Sequence, residues 1–198
     1  MGIDSNPNLL EVAHNNCPKE CTFLNQNLSS LQVTPSNFDG LWCSFTSAYF
    51  TNFEKILSGW IQFLKKDSWI CIVDINNLLG HEPLSPKIKE QIHQFYEYSL
   101  LTQKYDFKVG SKLQFILENA GFSTKSIKLY DQELSFTGPA SEEIFQAWSS
   151  RLDRMNNLKE FLKTDFISFR NEFLECLSHR NHRSHCEVIY CIGKRIEF

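Results

Sequence analysis

Five consecutive apolar residues, Trp69, Ile70, Cys71, Ile72 and Val73, constrain the fold of this chain more than any other stretch. They offer no polar side in either of the two directions a strand presents its side chains. Such a run predicts a strand in a sheet covered on both faces. The segment before it has apolar residues at 53, 56, 57, 60, 61, 63 and 64, which is helical spacing. Lys65, Lys66, Asp67 and Ser68 close that helix with cations at its C-terminal end. After the strand, residues 74–84 read as a loop. Ser85 and Pro86 then open a helix with Ile88, Ile92, Phe95 and Tyr96 on one stripe.

The rest of the chain extends the alternation. Asn6 is a good N-cap and Pro7 suits a first helical position, with Leu9, Leu10, Val12 and Ala13 as the apolar face. Residues 22–24 predict a short strand and 26–37, polar and serine-rich, a loop. Residues 41–45 are mostly apolar and strand-like. Residues 112–120 predict a helix stopped by Gly121. Residues 126–129 alternate as a half-buried strand. Ser141 opens one long helix carrying Ile144, Trp148, Leu152, Met155, Leu158 and Leu162. Thr164 opens another, and 188–192 form the last strand. Strands alternating with helices predict an α/β domain with a mainly parallel sheet. Its 198 residues predict one domain. The helical pair between the last two strands, within 131–186, reads as an insertion of that domain. It either caps the ligand-binding end of the sheet or is a helical layer with no ligand role.

Composition removes several classes of function. Lys and Arg number 20 against 23 Asp and Glu, a net charge of −3, which excludes a basic nucleic-acid footprint. With 42% hydrophobic residues the chain is not disordered by composition. No apolar run reaches membrane-spanning length, so no membrane partner is expected, and MGIDSNPN lacks the apolar core of a secretory signal. The seven cysteines form no CxxC, which predicts a reduced, cytoplasmic protein. Cys17 and Cys21 flank a turn, but a metal would need two further ligands. His179, His182 and His185 form an HxxHxxH run that reads as a solvated connector, or as a metal set if the three converge.

The order of these fragments resembles a class I S-adenosylmethionine-dependent methyltransferase. Gly2-Ile3-Asp4-Ser5-Asn6 with Leu9, Leu10 and Ala13 resembles the end of that family's second strand and the following helix. FLNQNLSSL at 23–31 resembles its third-strand segment, and FDGLWCSF at 38–45 its fourth strand. Residues 56–73 resemble its helix, turn and fifth strand, LENAGF at 117–122 the approach to strand six, and 187–194 strand seven. The implied fold is a partial Rossmann-like sheet with helices on both faces and a helical insertion between the last two strands. The family's GxGxG loop is absent, since the closest two of the eight glycines, Gly110 and Gly121, are eleven apart. Strand one, central in the family's sheet, and most of strand two therefore lack counterparts here. Met1 reads as an internal methionine of an N-terminally truncated unit.

The resemblance implies S-adenosylmethionine as methyl donor and a small-molecule acceptor. It places the donor's ribose on Asp4 with Ser5 beside it, the adenine at Asn27 and Leu28, and the methionine part near Ser44 and Phe45. Each position keeps a local alternative: Asp4 as part of the cap before Pro7, Asn27 as a turn residue, Ser44 as strand-end packing. No catalytic residue is assigned. His81 is a candidate base or a solvent-facing loop residue. Tyr49, Tyr98 and Tyr105 line an acceptor pocket or pack the core. The alternatives to an enzyme are a degenerate methyltransferase fold that binds or scaffolds, and one half of a split enzyme. Unpaired edges on strands two and four imply a homo-oligomer or a partner chain that completes the sheet.

Overall fold

A computed structural model describes residues 1–33 and 37–196. Thr34, Pro35 and Ser36, part of the expected loop, lie outside the described residues, as do Glu197 and Phe198. Three sheets hold the strands: one parallel pair, one mixed four-stranded sheet and one antiparallel pair. β1 (Gly2–Asp4) and β2 (Phe23–Asn25) form a parallel pair linked by α1 (Pro7–Asn16). Asn6 caps α1 by accepting from the Asn8 N–H, with Pro7 at the start, as the sequence predicts. None of the residues of α1, β1 or β2 is buried, and Leu9 and Val12 are more than half exposed.

The main sheet has the order β3-β4-β8-β6. It is built from β3 (Phe38–Ser44), β4 (Leu64–Asn76), β6 (Phe122–Leu129) and β8 (Glu187–Arg195). β3 is parallel to β4, and β8 is antiparallel to both β4 and β6. Three strands thus run one way and β8 runs against them. The apolar run behaves as expected. Ile70 and Ile72 pack under α2 (Phe53–Ile61) and α4 (Val109–Asn119), with Leu57, Trp60, Leu113 and Leu117. Cys71 and Val73 face the opposite side. There they meet α3 (Pro86–Leu101), α5 (Glu142–Arg154), α6 (Asn156–Leu162) and α7 (Phe166–Ser178). Period-two alternation inside an all-apolar run thereby feeds two cores at once. A short pair, β5 (His81–Glu82) with β7 (Arg183–Ser184), ties the connector after α7 to the segment after β4.

Four local expectations are corrected. Lys65 to Ser68 do not close a helix. α2 stops at Ile61, and these residues extend β4, with Leu64 opposite Phe38. A register irregularity follows at Gly40, where the Trp69 ring lies so close that a Cβ would stand 2.0 Å from it. Asp74, Ile75 and Asn76 belong to β4 and not to the loop. β6 is longer than expected and, beyond Phe122, mostly exposed. The long helix is two, since Met155 leaves helical geometry at ψ 71 between α5 and α6.

Candidate active site

The carboxyl ends of β1, β2, β3 and β4 supply the candidate residues. Parallel pairing sets Asp4 opposite Asn25, whose side chain donates to the Asp4 carbonyl at 3.3 Å. One Asp4 carboxylate oxygen accepts from the Asn6 N–H at 2.7 Å, closing the turn into α1, and Ser5 sits exposed in that turn. Asn27 caps the short 3₁₀ turn Leu28–Ser30 by accepting from the Ser29 N–H at 2.8 Å. The local alternative therefore describes the hydrogen bonds of both side chains. Each oxygen involved keeps a second lone pair for a ligand. The Leu28 carbonyl accepts from Trp60 Nε1 at 2.8 Å, which ties this segment to α2.

Ser44 ends β3 opposite Val73. The next residue, Phe45, turns the chain at φ 52, a left-handed conformation that a bulky side chain rarely adopts. Its N–H bonds to the Val73 carbonyl at 2.8 Å, so β4 holds the turn. Among the described residues β1 pairs only with β2 and β3 only with β4. Between these two unpaired edges lies a cavity of about 360 Å³. Ile3 lines one side, Leu41 and Ser44 the other, with Leu28, Leu31 and Trp60 below. It brings Leu28 and Ser44 together; Asp4, Ser5 and Asn27 lie outside its lining.

A second cavity, of about 450 Å³, opens beyond the end of β4, under α5 and α6. Tyr49 and Tyr105 meet there edge to face at 5.1 Å. Tyr98 does not line it and packs on Phe161. The wall is fastened by Asp74, a buried carboxylate at the end of β4. Asp74 accepts from the Ser47 hydroxyl at 2.6 Å and the Ala48 N–H at 3.1 Å, and its other oxygen accepts from the Ile75 N–H at 2.8 Å. Burial pushes the Asp74 carboxyl above its usual range, and these donors oppose the shift. The Ala48 carbonyl in turn accepts from the Asp106 N–H at 2.7 Å, which orders the segment carrying Tyr105.

His81 is neither solvent-facing nor open to either cavity. It is 2% exposed, packed edge-on against Trp148 and Phe173. Its Nδ1 lies 2.9 Å from Nε2 of His182, whose own Nδ1 lies 3.1 Å from the Gly138 carbonyl. A carbonyl only accepts, so His182 carries its proton on Nδ1, and His81 must then donate from Nδ1. Burial, and next the neighbouring His182, push the His81 imidazole down to about 3. Burial also lowers His182. The connector is thus not wholly solvated, because its middle histidine is 1% exposed. His179 caps its own turn through the Asn181 N–H, and His185 lies 3.3 Å from Glu82. Among the described residues no group of three or more His, Cys, Asp or Glu is placed to hold a metal ion.

Sequence reasoning missed Asp74, the left-handed turn at Phe45 and the pairing of His81 with His182. Only Asp74 carried a signal, as an acid directly following five apolar strand residues.

The strand order, the parallel β1–β2 and β3–β4 pairs and the reversed β8 make a Rossmann-like fold, shared with solved methyltransferase structures. A family model described as a methyltransferase domain matches residues 1–72. Among solved structures, a methyltransferase candidate from Bacillus halodurans C-125 aligns at TM-score 0.58 and 17% identity, covering 98% of this chain and 80% of its own. The YcgJ protein of Bacillus subtilis aligns at TM-score 0.56 and 16% identity, over 100% and 82%. Phosphoethanolamine N-methyltransferase 2 of Haemonchus contortus, solved with S-adenosyl-L-methionine, aligns at TM-score 0.56 and 18% identity. The alignment covers 99% of this chain, which spans 43% of that enzyme. No curated protein matches the sequence.

Proposed function

We propose that this chain is a methyltransferase unit that moves a methyl group from S-adenosylmethionine to a small-molecule acceptor. In this reading it is one domain, and residues 131–186 cap the acceptor side. The observation that carries the reading is the pair of parallel strand pairs, β1–β2 and β3–β4, with Asp4, Asn27 and Ser44 at or just beyond their carboxyl ends, within a fold shared with solved methyltransferases. Asp4 would receive the ribose hydroxyls through its remaining lone pairs, Asn27 and Leu28 would flank the adenine, and Ser44 would meet the methionine end. The donor supplies an electrophilic methyl on a sulfonium. The protein's share is then proximity and alignment, which can contribute about 7–11 kcal/mol at best. No side chain here is assigned as a base, and the buried His81 is unsuited to that task.

The gap between β1 and β3 supports a partner. We propose that an extended apolar strand of a second chain, either another copy or a separate polypeptide, enters it and pairs with both edges. Unpaired strand edges recruit strands, and the lining is largely apolar. All seven cysteines are free and five are buried, which supports a reducing, cytoplasmic setting. No helix of the described residues is long and apolar enough to cross a membrane.

One observation favours a second reading, a binding or scaffolding protein without catalysis. Asp4 and Asn27 already serve local caps. Calorimetric titration with S-adenosylmethionine separates the two. The enzyme reading expects saturable heat, with Asp4→Ala binding at least about tenfold more weakly, the range for a hydrogen bond to a charged group. Absence of heat at millimolar donor overturns it and leaves the scaffold.

A further inference from the structure

The cavity under α5 and α6 has a chemical character of its own. Its walls are aromatic: Tyr49 and Tyr105 on one side, Phe95 and Phe107 on the other. Its rim is cationic, with Lys104, Arg151 and Arg154, and its lining holds no carboxylate. Among the described residues neither Lys104 nor Arg154 has an ion-pair partner. Arg151 is matched only in part. Its Nη2 meets Glu133, and the guanidinium stacks 4.7 Å from the Trp148 ring. Its Nη1 is buried with no partner. A cavity with aromatic walls, whose lining charges are all positive, calls for a flat ligand that brings negative charge.

We propose that this cavity takes a small aromatic anion: a flat ring held edge-to-face by Tyr49 and Tyr105, and a carboxylate or phosphate head among the rim cations Lys104, Arg151 and Arg154. In the methyl-transfer reading, on which its biological meaning rests, this anion is the acceptor. The anion's recognition itself needs no donor. Planar guanidinium donors suit both kinds of head group, so the probes decide between them.

The test is calorimetry on the full chain without donor. The probes are benzoate and phenyl phosphate, with benzyl alcohol and benzylamine as neutral and cationic counterparts of similar shape. At least one anion should bind about tenfold more tightly than benzyl alcohol, lose affinity as salt is added, and outcompete benzylamine entirely. The tighter of the two anions identifies the head group. Lys104→Gln with Arg154→Gln, both exposed and so harmless to folding, should cost about tenfold in anion affinity with an unchanged thermal melt. Equal binding of benzyl alcohol, indifference of the double variant, or no heat from either anion at millimolar concentration would each overturn the proposal. Anion binding without donor binding would keep this inference and remove the methyl-transfer role instead.

Discussion

At the scale of single residues, the His81–His182 pair sets how the chain responds to acid. His81 stays neutral when folded until about pH 3, whereas an unfolded imidazole takes its proton near 6.5. Between those values the unfolded chain holds more protons, so stability falls as pH falls below 6.5. At pH 5 the loss from His81 alone is about 2 kcal/mol, taken as 1.36 kcal/mol per pH unit. Urea unfolding at pH 7.5 and pH 5 measures it; equal stability at both would mean that the pair opens and protonates without cost. None of this was readable beforehand. A histidine in a loop pattern gives no sign that a carbonyl forty-odd residues away will orient its partner ring. The caps were legible, because Asn6, Ser85 and Ser141 act on the N–H groups a few residues ahead, and that chemistry is local.

At the scale of elements, β4 shows where local reading gives way. Two lysines, an aspartate and a serine look like a helix terminus. In the fold they continue the strand, because Phe38 pairs with Leu64 and Arg195 donates to the carbonyls of Leu64 and Lys65 at 3.0 and 3.4 Å. Both partners are remote in sequence. Gly40 is the device that makes the join possible, since the Trp69 indole lies where a Cβ would be. Gly40→Ala should therefore destabilise by about 1–3 kcal/mol through overpacking. Trp69→Ala in the same chain should recover part of that loss, measured by urea melts and a double-mutant cycle. Full tolerance of Gly40→Ala would show that the indole moves freely. The far edge, β6, carries the exposed Lys125, and Lys128 paired with Glu187 of β8, charges of the kind that discourage further strand addition.

At the scale of the molecule, the alternation of strands and helices and the two-faced central strand were legible in the sequence. The candidate site was legible only as positions along the chain. Which of them share a cavity depends on the three-dimensional gap between β1 and β3, and Leu28 and Ser44 meet there while Asp4 does not. Helices α5, α6 and α7 are joined to the sheet by one continuous core. Trp148, fully buried, bonds through Nε1 to the Glu133 carbonyl at 2.9 Å and touches both His81 and Phe173. Trp148→Ala should cost about 3–5 kcal/mol. Near- and far-ultraviolet circular dichroism should still report coincident unfolding of cap and sheet, whereas separate transitions would mark 131–186 as an independent domain.

The tie between Trp60 and the Leu28 carbonyl has a further consequence. It fastens a block with no buried residue of its own, α1 with β1 and β2, to α2 and the core beneath it. The sugar side of the donor would rest on the lightly held block and the sulfonium side on that core. Whatever fraction of molecules holds the two in register multiplies the intrinsic affinity for the nucleoside. In that reading, donor occupancy would gauge how well the indole latch, with Leu28 and Leu31 packed beside it, is closed.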